Sequence, residues 1–312
     1  MYNEELKRRY IDKKESEVII SQFFLKNMFL KTGPFEEKLQ KDACSWTANE
    51  IIEFYKFLDL TSLESLSLIN SNLAMYTSWC INETLVPDGQ NHYQELDQPT
   101  LLSCVNTDLL QKSIITWEEL TKAVESVTNY TDRFIFYALF EGMSGELFKE
   151  ITAAKDGDIE GHTIHLCTGR DLEITSKTIE AAEAALAEEE YVIVTDDREK
   201  TLPYRAEDDG YYFRRIRNHS GETQNELANK AQALSRRFIK AETSIGLSRK
   251  MTPKRLLLSG KINFIKQIMK REGDNDLERV LRNHREEIDA RYPVERLKSV
   301  RMFVQKYGVF FE

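Results

Sequence analysis

Residue patterning predicts a mainly α-helical chain that carries a small antiparallel β-sheet and is divided into two parts. Three observations lead there. Capping boxes precede amphipathic runs through the first 140 residues, turn formers cluster at 86–100, and strand-like alternation is confined to short stretches between about 158 and 194. A chain of 312 residues is long enough for two buried cores, and 13 Gly with 6 Pro are too few for a collagen-like, disordered or turn-dense sandwich protein.

Each element has a local reason. Pro34, followed by Phe35-Glu36-Glu37-Lys38-Leu39, predicts a helix start with proline in the first turn. Thr47-Ala48-Asn49-Glu50 has capping-box spacing, and Ile51, Ile52, Phe54, Tyr55 and Leu58 then share a helical face. Thr61-Ser62-Leu63-Glu64 repeats the device ahead of Leu66, Leu68, Ile69, Leu73, Tyr76 and Cys80. These make the amino-terminal region a small helical bundle. Val86-Pro87-Asp88-Gly89 and Asp97-Gln98-Pro99-Thr100 interrupt the pattern, which places a boundary within 87–113 and divides the chain into 1–100 and 101–312.

Helices resume at Thr116-Trp117-Glu118-Glu119, and another runs from about Thr131 to Glu141, ending at Gly142. Asp158 to Cys167 reads as turn then strand, Thr168-Gly169-Arg170 as a tight turn, and Asp171 to Thr175 as the return strand. A helix follows over 177–190, then a short strand at Tyr191-Val192-Ile193-Val194. Gly210 to Arg217 is basic and aromatic, and helices continue from about 222.

The longest apolar run, Phe134 to Phe140, falls far short of the roughly 20 residues a membrane helix needs. The charged start, Met1 to Arg9, has no apolar stretch after it and does not read as a secretory signal, so a soluble cytoplasmic protein is expected. Cys44, Cys80, Cys104 and Cys167 are scattered without a Cys-x-x-Cys pair, and read as reduced, mostly buried thiols. The net charge of −9 conceals an asymmetry: residues 1–200 carry −18 and residues 201–312 carry +9. A basic half suits a nucleic-acid partner, and it equally suits a solvated helical surface.

Candidate chemistry is sparse. His162 and His165 face opposite ways on a strand and only His165 and Cys167 share a face, so no metal is expected. Asp156-Gly157-Asp158-Ile159-Glu160-Gly161 opens like a calcium loop, but its twelfth position is Cys167 where a bidentate glutamate belongs, and a turn into a hairpin is the better reading. Glu188-Glu189-Glu190 reads as a solvated run. Phosphate-loop, dinucleotide-binding and nucleophile-elbow glycine patterns do not occur, so no cofactor is expected.

The order of elements is more informative than any single motif. A helical bundle and linker lead to the Thr116-Trp117-Glu118-Glu119 start, then an apolar helix ending at Glu141-Gly142-Met143-Ser144-Gly145-Glu146-Leu147, then the hairpin. Later come Thr252-Pro253-Lys254-Arg255-Leu256, Asn283-His284 and Tyr292. From about residue 30 to 300 this order resembles the tyrosine recombinases, the phage integrase family. That resemblance implies a two-domain clamp around DNA, with a helical core-binding domain over 1–100 and a catalytic-type domain over 101–312.

It also implies where catalytic groups would stand. The first arginine's position falls at Met143 or Ser144. Arg170 sits near the hairpin turn where a lysine would be. The His-x-x-Arg box becomes Lys254-Arg255-Leu256-Leu257, with Lys254 at the histidine and Leu257 at the arginine position. His284 matches the later histidine, and Tyr292 is a slightly displaced match to the nucleophilic tyrosine. Losing one donor to the scissile phosphate typically costs about 100- to 1000-fold in rate, and both arginines are missing. No catalytic residue is therefore expected. His284 and Tyr292 also read as an ordinary satisfied histidine and a packing tyrosine.

The start Met1 to Asp12 and the stretch from Thr252 to Gly260 resemble a group of recombinase-fold lysogeny repressors from SPβ-like Bacillus phages. This implies a non-enzymatic, operator-binding transcriptional repressor in the host cytoplasm, associated with the nucleoid. Its partner would be double-stranded DNA, with a regulatory phage protein or peptide and a homo-oligomer on DNA as further candidates. The DNA-facing residues would be Arg170, then Arg214, Arg215 and Arg217 interleaved with Tyr211, Tyr212 and Phe213, then Lys254, Arg255 and Lys261, then Arg282 and Arg285. For Lys254 and Arg255 a solvated first helical turn is the competing reading. Two other classes stand beside this one: an active, divergent recombinase using Tyr292 with Arg215 or Arg291 recruited, and a protein-interaction module built on the acidic half.

Overall fold

The computed structural model describes residues 2–15, 22–112, 114–195, 198–216, 225–245 and 251–311. Its contacts divide into two compact units, residues 1–111 and 112–312. The architecture is mainly helical with two small antiparallel sheets. No helix among the described residues is long and apolar enough to cross a membrane.

The first unit holds α1 (Glu4–Glu15), α2 (Gln22–Leu39), α3 (Ala48–Phe57), α4 (Leu63–Asn82) and α5 (Gln98–Ser103), while α6 (Thr107–Lys112) runs up to the division. Its core is aromatic, with Tyr10, Phe29, Trp46, Phe54 and Tyr76 buried and the Tyr10 and Tyr76 rings 5.1 Å apart. Lys7 on α1 is buried against the Glu36 carboxylate on α2, which also accepts from the Thr32 hydroxyl and the Ala43 N–H, both at 2.8 Å. A buried charge needs such company, and this pair fastens the first helix to the second.

The Thr47 capping box forms as expected. Pro34, by contrast, lies inside α2 rather than at its start. Proline removes one helical hydrogen bond, that to the carbonyl of Leu30, and Leu30 lies on an exposed part of the helix where water can reach it. The α4 cap is Ser62, whose hydroxyl accepts from Ser65, one residue later than the Thr61 spacing predicts. The expected division at 100/101 falls within α5. Leu101, Cys104 and Val105 belong to the first core, which moves the boundary to 111/112.

The second unit is built around α8 (Tyr130–Glu141), preceded by α7 (Trp117–Val124), whose Thr116 capping box also forms. Phe134 to Phe140 are all buried, so α8 is apolar all round and must be wrapped on every side. Gly142 ends it in the left-handed region, at φ 106°. The short α9 (Lys149–Thr152) leads to a three-stranded sheet of β1 (Ile159–Glu160), β2 (Thr163–His165) and β3 (Asp171–Glu173), in which Ile164 pairs with Leu172 and both face the core. His165 lies on the outer face between Asp171 and Glu160, and no three His, Cys, Asp or Glu side chains among the described residues could hold a metal.

After α10 (Ser176–Ala187) comes a ribbon of β4 (Glu190–Thr195) and β5 (Arg198–Pro203). The charged β5 carries no period-two apolar signal and is held by pairing with β4. α11 (Glu226–Ser244) and α12 (Pro253–Glu272) complete the wrapping of α8. The far face of α12 forms a further core with α13 (Leu277–Asn283), α14 (Arg285–Arg291) and α15 (Val300–Tyr307), through Ile265, Ile268, Val280, Leu281, Ile288 and Phe303.

Among the glycines of the described residues, the closest approach is where α12 crosses α8. A β-carbon on Gly260 would lie 1.7 Å from the Phe140 carbonyl oxygen and 2.9 Å from the Tyr292 hydroxyl. Ser259 beside it accepts from the Ile115 N–H at 3.1 Å, joining the start of the unit to the same turn. Gly260→Ala must push the helices apart, an overpacking cost of about 3 kcal/mol or more. Thermal unfolding should show a loss of roughly 6–12 °C for a unit of this size. Gly308→Ala, whose new methyl would meet nothing closer than 3.8 Å, should leave the transition in place.

Candidate functional site

The loop after α8 is shaped by its backbone. Gly142 and Gly145 have positive φ, and so do the non-glycine residues Leu147 and Phe148 at 52° and 58°. Side chains disfavour that region, so the surrounding contacts must hold the turn. Its effect is to bring Glu150 back beneath Ser144. Met143 points into the core, and Ser144 offers its N–H to Glu150 Oε2 at 2.7 Å.

Arg170 enters from the turn between β2 and β3. Its Nε and one Nη2 hydrogen bind Glu150 at 3.1 and 2.7 Å, and the other Nη2 hydrogen binds the Gly142 carbonyl at 3.0 Å. Nη1 binds the carbonyls of Ala290 at 2.6 Å and Arg291 at 3.1 Å. A guanidinium has five N–H donors, and these five contacts engage all of them. Glu150 is equally occupied, because the Thr168 hydroxyl supplies its fourth donor at 2.7 Å. Burial alone would push the Glu150 carboxyl up, but Arg170, the Ser144 N–H and Thr168 together hold it below its ordinary range. Where the integrase resemblance places the first phosphate-binding arginine, this chain has a closed carboxylate–guanidinium pair.

The remaining positions that the integrase resemblance marks have the following surroundings. Leu257 is buried in the core. Lys254 is 83% exposed in the first turn of α12, 4.0 Å from Glu295. His284 lies between α13 and α14 with Glu287 at 3.1 Å and Arg271 at 3.5 Å. Tyr292 is 2% exposed and donates its hydroxyl to the Phe140 carbonyl at 2.9 Å. Burial holds that phenol well above its ordinary value, so a phenolate is strongly disfavoured there.

The cations expected to face DNA separate into two groups. Arg214 is buried, donates to the carbonyls of Ala185 and Glu188 at the end of α10, and lies 4.2 Å from the Tyr204 ring. Arg215 makes a bidentate pair with buried Asp208 at 2.7 and 2.9 Å. Tyr212 and Phe213 are core residues, so the expected 211–217 strip is not a surface; Arg217 lies outside the described residues. Lys261 is buried against the Glu295 carbonyl and the Phe303 ring, and burial pushes its ammonium down to about 8. With Arg170, these are internal groups. The physical reason is local: helix-end carbonyls and a buried aspartate complete the cations better than open solvent positions allow.

Lys254, Arg282 and Arg285 remain on the surface, with Arg285 donating to the Leu297 carbonyl at 2.6 Å, and Arg255 is half-buried. Sequence reasoning missed Glu150, Asp208 and Arg237, whose buried guanidinium binds Asp132 at 2.7 Å. None lies in a spacing that marks it. It also passed over Arg296, Lys298 and Arg301, which are exposed along the carboxyl-terminal segment.

A family model described as MrpR, C-terminal catalytic domain, matches residues 114–307, and one described as MrpR, N-terminal core-binding domain, matches residues 1–83. The chain belongs to the MrpR family. Among curated proteins it is similar to the SPbeta prophage-derived uncharacterized protein YopR of Bacillus subtilis (strain 168). The two are 26% identical over 200 residues, 61% of this chain and 60% of that protein, so the chain matches about three fifths of its relative's length. Among solved structures it is similar to lambda integrase (residues 75–356) bound to DNA, at 17% identity, 88% coverage of this chain, 90% of that one and a TM-score of 0.42. The XerA recombinase is similar at 15% identity, 97% and 92% coverage and a TM-score of 0.38. The two domain models of the MrpR family divide the chain in the same sense as its two compact units.

The Glu150–Arg170 pair has a pH signature. Because Glu150's folded-state pKa is lowered, its contribution is present above the ordinary glutamate range, about 4.3, and is lost as pH falls through the folded value. Glu150→Gln should cost about 3 kcal/mol at neutral pH, since it leaves a largely buried guanidinium unpaired. The gap between the two proteins should narrow as pH falls below the ordinary glutamate range and close once it has passed the lowered folded value, in denaturant titrations across pH.

Proposed function

We propose that this MrpR-family chain is a sequence-specific, double-stranded-DNA-binding repressor that keeps a prophage silent, and that it performs no strand transfer. One observation carries the second half: the arginine nearest the expected phosphate site has every N–H engaged by Glu150 and three backbone carbonyls. Met143, Ser144 and Leu257 supply no cation in its place, and buried Tyr292 supports the same reading. The DNA-binding half is supported by family membership, by the prophage relative and by the positive carboxyl-terminal residues 201–312.

In this reading phosphates are met by the surface cations alone. Lys254 and Arg255 stand in the first turn of α12, where the helix dipole adds to their charge, and Arg282 stands on α13. Arg296, Lys298 and Arg301 extend the same positive segment. Operator DNA is the partner, bound in the host cytoplasm at the nucleoid, with assembly of copies on DNA as part of the same proposal.

The test is a mobility shift on fragments tiled across the source replicon, each complex run with and without SDS. A few discrete shifts that SDS abolishes are expected. Lys254→Glu with Arg255→Glu should weaken binding to every fragment and flatten its salt dependence, while unchanged affinity and slope would remove these residues from the interface. An SDS-resistant complex that disappears in Tyr292→Phe would establish an active recombinase instead. Absence of any selective shift at low salt would leave the acidic half as the place to seek a protein partner.

A further inference from the structure

The second unit contains a cavity of about 110 Å³ whose lining includes Glu141, Trp117, Asn263, Phe264, Arg291 and Tyr292. Two polar atoms of these lining residues lack hydrogen-bond partners among the described residues. Glu141 is only 3% exposed; its Oε1 accepts from the Thr175 N–H at 2.9 Å, and its Oε2 has no partner. Arg291 donates through Nη2 to the Glu173 carbonyl at 2.9 Å, with its guanidinium 4.8 Å from the Phe264 ring, and its buried Nε has no partner. An open buried acceptor and an open buried donor are each unfavourable, and native interiors rarely retain both around one space.

The chemistry of an occupant follows from the charges. Arg291 repels a cation, and Glu141, whose carboxyl burial pushes up while Thr175 and the Arg291 charge oppose that, repels an anion when ionised, so the complement is neutral. It must present an N–H to Glu141 Oε2 and an oxygen acceptor to Arg291 Nε. Trp117, Phe264 and Tyr292 supply aromatic walls that suit a planar group. The volume equals that of about three to four waters, enough for a compact organic group. We propose that this cavity binds the planar N–H/C=O unit of a neutral small molecule, of the carboxamide or cyclic-urea kind. The site is independent of the DNA-binding reading and uses none of the surface cations assigned to it.

Binding here also touches the crossing of α8 and α12, because Tyr292 lines the cavity and bonds Phe140 across it. An occupant should therefore raise the thermal transition by linkage. The experiment uses the full chain with 2-imidazolidinone and acetamide as probes, methylguanidinium and acetate as charged controls, and ligand-observed saturation-transfer NMR with thermal shift as readouts. Saturable binding of the neutral probes at millimolar concentration, with a rising transition, is expected. Glu141→Gln keeps the shape but removes the charged acceptor, and should weaken binding about tenfold. Asn263→Phe introduces a ring at a half-buried α12 position and should abolish binding by filling the space, which decides the matter even where Glu141→Gln does not fold. No saturation in the folded wild type would mean that the cavity holds only water and would overturn the proposal. Equal binding by wild type and Asn263→Phe, or a preference for either charged control, would overturn it as well.

Discussion

The second unit depends on how closely α12 can approach α8, and that approach is set by the hydrogen atom that serves Gly260 as a side chain. The Phe140 carbonyl occupies the space where any β-carbon would stand. Because the helices meet there, Tyr292 can bond the same carbonyl, and Ser259 can tie the entry to the unit at Ile115. One face of α12 then completes the core around α8 through Leu256 and Leu257, and the other seeds the carboxyl-terminal core through Ile265 and Ile268. Glycine inside a helix costs about 1 kcal/mol in propensity against alanine, a small penalty beside the clash it avoids. Tyr292 is thus part of the packing that this crossing permits.

Electrostatics in this unit are directed inward. Arg170, Arg214, Arg215, Arg237 and Lys261 are buried or nearly so, each held by a carboxylate or by backbone carbonyls. A cation matched at close range contributes little field at a distance, so a formal charge of +9 over residues 201–312 overstates what an approaching polyanion meets. Among the described residues the exposed cations include Lys254 in the first turn of α12, Arg282 on α13 and Arg296, Lys298 and Arg301 after Tyr292, with Arg236, Lys240, Lys266, Lys270 and Arg271 on α11 and α12.

The fold was legible in the sequence wherever a local rule decides. Thr47 and Thr116 cap as their spacing says, Gly142 stops α8 in the left-handed region, and the alternation around Ile164 and Leu172 gives the hairpin. It was misread where tertiary packing overrides the rule: Pro34 sits within a helix that aromatic packing keeps continuous, and β5 exists only because β4 lies beside it. The site was less legible. The resemblance marks Met143 or Ser144, but nothing in the spacing announces that Glu150 folds back to accept the Ser144 N–H. Arg214 and Arg215 follow the aromatics Tyr211 to Phe213 as part of what reads as a surface strip, and composition cannot distinguish that from guanidinium groups buried against Tyr204 and Asp208.

The segment from Ala290 to Tyr292 joins these features. Its carbonyls receive Arg170 from the hairpin, Arg291 reaches back to the Glu173 carbonyl at the end of β3, and Tyr292 bonds the end of α8. A β-carbon at Gly142 would meet the Arg291 carbonyl at 2.4 Å, so this glycine, like Gly260, is required by proximity as well as by its φ. Hairpin, α8 and α12 share the apolar core around Phe134 to Phe140, and these three consecutive residues add directional bonds to that packing. Such a joint is short and directional, because each bond is to a fixed carbonyl with one geometry. Arg291 belongs to both places, because its carbonyl receives Arg170 and its side chain lines the cavity beside Tyr292.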